Sequence, residues 1–159
     1  MRSFFYLLIL LFITHDTRSQ TRRVCTIQAV AVAPTIDGDL SDEVWKQCSV
    51  SNDFTQTVPH PDQASAYNTD VRMCYTNSSV FIAAILYQPR SISSRQLTAR
   101  DMLINPNCDI FSIYLDTYDD HQNGFVFRIS SAGVQQDERL SGGSEYGDGS
   151  WDAVWTSKV

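Results

Sequence analysis

The sequence contains few of the residues that build flexible linkers, and it is short of positive charge. Only 7 Gly and 5 Pro occur among its 159 residues, which excludes low-complexity linkers and collagen-like repeats. Its 12 Lys and Arg residues are outnumbered by 18 Asp and Glu residues, for a net charge of −6. Binding to a nucleic-acid backbone needs a basic face that displaces counterions. We therefore expect one domain of ordinary length with no nucleic-acid partner.

The short motifs of common catalytic sites are also absent. The sequence has no GxSxG, no HExxH, no phosphate-binding glycine loop and no dinucleotide fingerprint. Glycoside hydrolysis needs two carboxyl groups on either side of the scissile bond, and the spacing of the acidic residues singles out no such pair. The candidates are Asp116, Asp119, Asp120, Asp137 and Glu138. We therefore expect no catalytic residue in this chain, whether or not the whole protein is an enzyme.

The longest apolar run lies at the N-terminus. Residues 4–13 are an unbroken run of 10 apolar residues behind Arg2, and Thr17 and Ser19 place small residues before a cleavage point. This pattern is typical of a signal peptide, and the run is too short to span a bilayer. We predict a signal peptide over 1–19 and export of the rest to the periplasm, the cell surface or the medium. No transmembrane helix is expected after its removal.

Four cysteines follow the predicted signal peptide: Cys25, Cys48, Cys74 and Cys108. An even number in an exported chain permits two disulfide bonds, with three alternative pairings. The separations between them do not fit a zinc site, which needs closely spaced pairs of Cys or His. The alternative is that they are buried free thiols that pack as small apolar side chains.

Alternating apolar residues predict an all-β fold. The predicted strands are residues 70–75, 80–87, 109–116, 125–130, 133–138 and 153–159. The first two form a hairpin, and the second of them is apolar on both faces, which is typical of a central strand covered on both sides. A short helix at 42–48, capped by Ser41, is expected to bury Trp45 in the core. We expect an antiparallel β-sandwich with one short helix.

The connection between two of the predicted strands is rich in acidic residues. Residues 117–124 read TYDDHQNG and follow directly on Asp116. Carboxylate and amide oxygens are the ligands that calcium takes, although the spacing is not that of an EF-hand. Asp116, Asp119 and Asp120 are therefore the candidate metal ligands, and calcium is the candidate cofactor. The alternative is a solvated acidic end of a hairpin.

Aromatic residues cluster near the C-terminus among glycines. Sugars bind by stacking their apolar C–H faces on flat rings, while polar side chains hold their hydroxyl groups. Tyr146, Trp151 and Trp155 lie close together in the sequence, and Trp155 is expected to pack within a strand. Tyr146 and Trp151 are therefore the candidate carbohydrate-binding residues.

Several stretches resemble the family 9 carbohydrate-binding module, in the form found at the N-terminus of large exported proteins. The matching stretches are IDGDLSDEVW at 36–45, DVRMCYTNSSVFIAAILY at 70–87, DIFSIYLDTYDDHQNGFVFRISSAGVQQD at 109–137 and DGSWDAVW at 148–155. The resemblance implies a jelly-roll-like β-sandwich over 34–159 behind a lead-in at 20–33. It implies a non-catalytic module that binds a polysaccharide or oligosaccharide during glycan breakdown. Members are often joined to O-glycosyl hydrolases, and some hold calcium.

The chain departs from this family at the sugar clamp, which is made by two tryptophans. One of them falls in the region of 105–107, where this chain has no aromatic residue, and the other falls beyond residue 159. The family's domain also continues past 159, so we expect an incomplete copy with further domains in a longer parent protein. Two alternatives follow. One is a structural or assembly module of an outer-membrane-associated protein that binds no sugar, and the other is the binding part of a glycoside hydrolase.

Overall fold

A computed structural model describes residues 23–103, 107–144 and 146–159. The predicted signal peptide at 1–19 lies outside these residues. The chain is an all-β sandwich with two sheets and one short helix, as the sequence predicts. Within the described ranges, no helix has the length and apolar character needed to cross a membrane.

The first sheet has four strands arranged around a long central one. The strands are β1 (Gln28–Ala29), β2 (Val50–Ser51), β3 (Thr69–Tyr75) and β4 (Val80–Leu86), with helix α1 (Glu43–Gln47) between β1 and β2. β3 pairs with β4 along one whole edge, in antiparallel register. Its other edge is shared by β1, which runs parallel to it, and by β2, which runs antiparallel. The sheet is therefore mixed, with one short parallel pair in an otherwise antiparallel arrangement.

The sequence predicts the hairpin of β3 and β4 correctly but gives the central position to the wrong strand. In the described part of the chain, β4 pairs with β3 alone and lies at an edge. Ala83 in its middle is buried, but Val80 and Leu86 at its ends are exposed. An apolar run indicates that the side chains of a strand can be buried, but it does not indicate how many neighbouring strands pair with it. The order of strands therefore depends on the short segments β1 and β2.

The second sheet is an antiparallel meander of β5 (Ile110–Leu115), β6 (Gly124–Ser130) and β7 (Gln135–Leu140). Phe127 in the middle strand lies opposite Ile113 on one side and Asp137 on the other. Side chains in register share a face, so this face carries phenylalanines beside an acidic residue. The predicted strand at 133–138 is shifted to β7. Residues 153–159, also predicted as a strand, form no ladder in the structure.

Helix α1 covers one face of the first sheet. The residue at its N-cap position is Asp42, where the sequence predicts Ser41, and the Asp42 side chain makes no capping hydrogen bond. Instead it accepts a hydrogen bond from Thr35 N at 2.8 Å. The prediction that Trp45 is buried is confirmed. Trp45 forms a core cluster with Cys48, Cys74 and Ala83. The cluster joins the end of the helix to the β3–β4 hairpin.

Residues 151–157, called here the C-terminal segment, lie across the phenylalanine face of the second sheet. The ring centroid of Trp151 is 4.6 Å from that of Phe125 and 6.0 Å from that of Phe127. Trp155 meets Phe127 edge to face, with 5.3 Å between centroids. Such aromatic pairs stabilise packing beyond the area that they bury. The segment is therefore bound to the sheet by side chains and not by strand pairing.

The buried carboxylate of Asp137 supplies the polar part of this attachment. Its side chain is 1% exposed. Its oxygens accept hydrogen bonds from Ala153 N at 2.6 Å and from Trp155 Nε1 at 3.0 Å. The Arg100 guanidinium pairs with Asp137 and also reaches Asp152 at 2.7 Å. A buried charge is tolerated only when it is paired and hydrogen-bonded, and Asp137 meets both conditions.

Replacing Asp137 by alanine should lower the free energy of unfolding by about 3 kcal/mol, because Ala153 N–H and the Trp155 indole would lose a buried acceptor. The matched control is Asp152→Ala, which removes an exposed carboxylate from the same arginine and should cost less than about 1 kcal/mol. Urea unfolding followed by tryptophan fluorescence measures both values. Equal effects of the two substitutions would contradict this account of Asp137.

Candidate functional site

The candidate site lies at the end of the second sheet where β5 turns into β6. The connecting residues 116–123, called here the β5–β6 loop, are organised by the carboxylate of Asp116. It accepts hydrogen bonds from His121 N at 2.9 Å and from Asp120 N at 3.3 Å. Asp119 and His121 adopt positive φ angles of 53° and 56°. Asp and His tolerate this conformation better than most residues, so the sequence suits a tight loop.

A second carboxylate, that of Asp120, closes the far side of the β5–β6 loop. It accepts hydrogen bonds from Gln122 N at 2.9 Å and Asn123 N at 2.8 Å. The Asn123 side-chain amide donates a third bond at 2.7 Å. The Asn123 side chain and these backbone N–H groups hold the pKa of Asp120 below its usual value. Asp120 therefore stabilises the conformation of the loop itself.

Three exposed side chains of the same loop could hold a metal ion. Asp116, Asp119 and His121 each offer one ligand atom, and these atoms lie within 4.8 Å of one another. The structure thus brings together two of the three ligands that the sequence predicts, and it groups them with His121 in place of Asp120. His121 Nδ1 lies 3.1 Å from Asp116 Oδ2. The sequence analysis missed His121, although its spacing from Asp116 and Asp119 could have drawn attention to it.

The donor set favours different metals according to which atoms bind. Carboxylate oxygens suit calcium, whereas an imidazole nitrogen suits zinc and other transition metals. A calcium ion here would therefore be bound by Asp116 and Asp119, with His121 contributing only its hydrogen bond to Asp116.

Two shallow cavities flank the β5–β6 loop, with volumes of about 320 and 310 Å³. The first is lined by Tyr118, Asp120, Asn123, Phe125 and Arg139, and the second by Tyr114, Asp116, His121, Leu140 and Ser144, among others. Both volumes are at the lower end of the range for small-ligand sites. In each cavity an exposed tyrosine, Tyr118 or Tyr114, lies beside polar side chains.

Residues 141–150, called here the glycine-rich segment, connect β7 to the C-terminal segment. The glycine-rich segment folds back against this end of the sheet. Arg139 N and O exchange hydrogen bonds with Asp148 O at 3.2 Å and Asp148 N at 2.8 Å. Gly143 N donates to Gln122 O at 2.9 Å, which ties the segment to the β5–β6 loop. The φ angle of Gly143 is +70°, which glycine adopts without strain. The loop and the glycine-rich segment therefore form one continuous surface.

The two aromatic residues that the sequence selects lie in different surroundings. Tyr146, in the glycine-rich segment, is 88% exposed. Trp151 is half-buried against Phe125, which itself lines the first cavity. Tyr118 is 66% exposed at the same end of the sheet. The sequence analysis missed Tyr118 because a single tyrosine in a loop has no distinguishing pattern.

Two of the five acidic residues considered for a catalytic pair, Asp137 and Glu138, are paired with arginines. Asp137 is bound to Arg100, as described above. Glu138 pairs with Arg128 at 2.8 Å, and both of these side chains are largely buried. A general acid must be free to give up its proton to a substrate. These two carboxylates therefore stabilise the sheet.

Comparison with known proteins assigns no family to this chain. The chain matches no protein-family model, no characterised protein and no solved structure.

Acid should open the β5–β6 loop in a specific pH range. The N–H of His121, with smaller contributions from other groups, holds the pKa of Asp116 below its usual value, and Asp120 is lowered as well. The ionised carboxylates therefore stabilise the folded loop fully above the unfolded-state pKa of about 4. This stabilisation is lost as the pH falls through the lower folded-state pKa values. NMR titration of the backbone amides of His121 and Asn123 measures both transitions. Asp116→Asn should remove the transition at His121 and leave that at Asn123, and midpoints at or above about 4 would contradict the assignment.

Proposed function

We propose that this chain is an exported, non-catalytic carbohydrate-binding module of the family 9 type. The observation that carries the proposal is the surface around the β5–β6 loop, where exposed tyrosine rings stand beside carboxylate and amide groups. Tyr118 and Asn123 line one cavity, and Tyr114 lines the other. Flat rings can take the C–H faces of a sugar while the polar groups take its hydroxyls. The sequence resemblance to the family supports the same conclusion.

The partner that fits this surface is an oligosaccharide or the exposed end of a polysaccharide. The cavities are shallow and lie side by side on the two sides of one loop. A chain of sugar rings could contact both, with Tyr118 under one ring in the first cavity. Tyr146 lies beside the second cavity, because its N–H donates to Ser144, which lines that cavity. Arg139 and Asn123 would supply hydrogen-bond donors in the first cavity. Binding would then depend on aromatic rings other than the family's tryptophan clamp.

One observation favours the second candidate, a structural or assembly module that binds no sugar. Trp151 and Trp155 are both packed against phenylalanines of the sheet. Their rings contribute to the core of this half of the chain, so neither is a free platform. Under this reading the module would present its sheets to other parts of a longer protein.

Calcium at the β5–β6 loop is part of the proposal. Asp116 and Asp119 would bind the ion through their carboxylates, and the ion would hold the loop in the shape that forms both cavities. Calcium would thus act on sugar binding by fixing the loop.

Replacing either exposed tyrosine should weaken glycan binding. We expect Tyr118→Ala and Tyr146→Ala each to raise Kd by about tenfold, which corresponds to about 1.4 kcal/mol of lost contact. The measurement is a glycan-array screen of the 159-residue chain followed by titration calorimetry on any ligand found. Tyr67→Ala is the matched control, because Tyr67 is an exposed tyrosine just before β3 in the other sheet.

Trp151→Ala adds a second test of the same site. Because its ring packs on Phe125, the substitution should lower both the stability and the affinity. A chain that is folded by circular dichroism and binds no glycan would overturn the carbohydrate proposal and favour the structural module.

Calcium binding can be tested without a glycan. Millimolar calcium should raise the Tm by roughly 5–10 °C at a hundredfold excess over Kd, because the ion binds the folded state alone. Asp119→Asn should abolish the shift. Asparagine tolerates the positive φ angle at this position, so the loop should keep its shape. Asp62→Asn, at another exposed positive-φ aspartate, is the control. A Tm that does not respond to calcium would exclude the site.

A further inference from the structure

Two of the four cysteines meet in the core of the first sheet. Cys48 directly follows helix α1, and Cys74 lies on β3. They are 5% and 0% exposed, respectively, and both belong to the core cluster around Trp45. The fold thus brings together two residues from different elements, with the long polar segment at 52–68 between them in the sequence.

The two thiols lie near each other in this buried cluster. β2 runs antiparallel to β3 with Val50 opposite Arg72, and the same register continued by two residues places Cys48 opposite Cys74. Cys48 Sγ also lies 3.2 Å from Val44 O, to which it donates in the last turn of α1. Burial, together with the neighbouring Cys48, raises the pKa of Cys74 to about 11. The folded, reduced chain therefore holds both sulfurs as neighbouring thiols, with Cys74 protonated at ordinary pH.

The other two cysteines are not placed to compete for this pair. Cys25 is exposed, and its Sγ accepts a hydrogen bond from Ser51 Oγ at 3.1 Å. Ser51 is paired with Val71, three residues along β3 from Cys74, a distance of about 10 Å. A disulfide requires Cα atoms within about 7 Å.

Cys108 lies at the start of the second sheet. The carboxylate of its neighbour Asp109 accepts hydrogen bonds from the Gln88 side chain at 2.9 Å and from Ser94 N at 3.0 Å. This places Cys108 with the strand β5 and apart from the helix and hairpin that hold Cys48 and Cys74.

We propose that Cys48 and Cys74 form a disulfide bond that ties helix α1 to strand β3. Each thiol loses its proton, one S–S bond forms, and the two electrons pass to an external disulfide, which is reduced to two thiols. The attacking species is a thiolate, which the buried pair scarcely offers once folded. The bond therefore forms during folding, before α1 covers the hairpin. Cys25 and Cys108 stay reduced within this chain.

The bond would join the two ends of the segment between Cys48 and Cys74 into a closed loop. The segment between the two cysteines contains β2 and the polar residues 52–68, in which Thr55 and Ala64 make an isolated bridge. A disulfide across a loop of this length restricts the unfolded chain and so favours the folded state. The covalent link would act where the short strand β2 provides few ladder hydrogen bonds.

Trypsin separates all four cysteines, so the pairing can be read directly. Cleavage after Lys and Arg gives peptides 24–46, 47–72, 73–90 and 101–128, each with one cysteine. The full 159-residue chain is refolded in a buffer of reduced and oxidised glutathione, alkylated under denaturing conditions and digested without reductant. Mass spectrometry should then find 47–72 joined to 73–90, with 24–46 and 101–128 alkylated. Reduction should separate the joined pair.

Matched variants distinguish a disulfide from a buried thiol pair. Reduction should lower the Tm of the oxidised chain by about 10 °C. Cys108→Ser should keep both the linked peptides and this drop, whereas Cys48→Ser should abolish both. The result does not depend on sugar binding, so its failure leaves the proposed function untouched. Alkylation of both 47–72 and 73–90 in a chain that is folded by circular dichroism would overturn the proposal. A link from either to 24–46 or 101–128 would also overturn it.

Discussion

The half of the chain that carries the candidate site depends on one buried carboxylate, that of Asp137. A charge in the interior is costly unless it is neutralised and hydrogen-bonded. Arg100, the Ala153 N–H and the Trp155 indole meet that requirement from two separate parts of the chain. The contacts from Ala153 and Trp155 attach the C-terminal segment to the second sheet. That segment then covers the phenylalanines that would otherwise face solvent.

This attachment determines which aromatic rings can meet a ligand. Trp151 and Trp155 pack against Phe125 and Phe127, so their rings serve the sheet. The rings that remain exposed near the β5–β6 loop are tyrosines, among them Tyr118 and Tyr146. The loop in turn keeps its shape through backbone N–H groups bound to Asp116 and Asp120. The proposed sugar surface is therefore a consequence of how two acidic residues and one buried salt bridge are arranged.

Local patterns predicted much of the architecture. Alternation located β3, β5 and β6 within a residue or two, and the turn signals placed the loops between them. The acidic connection was predicted as a candidate metal site, and Asp116 and Asp119 stay together in the fold because they are close in sequence. Prediction was wrong at residues 153–159, where alternation suggested a strand. Their attachment comes instead from the side chains of Asp137 and Gln135, which no sequence period records.

By itself the sequence determined the all-β class, the buried Trp45 and the acidic loop, since each depends on residues that are neighbours along the chain. Only the tertiary structure decided that β4 is an edge strand, that His121 joins Asp116 and Asp119, and that Trp151 packs on Phe125. It also placed Cys48 and Cys74 in one buried cluster. These outcomes depend on contacts between residues that the backbone path brings together. Local hydrophobic and turn patterns constrain the path only a few residues at a time.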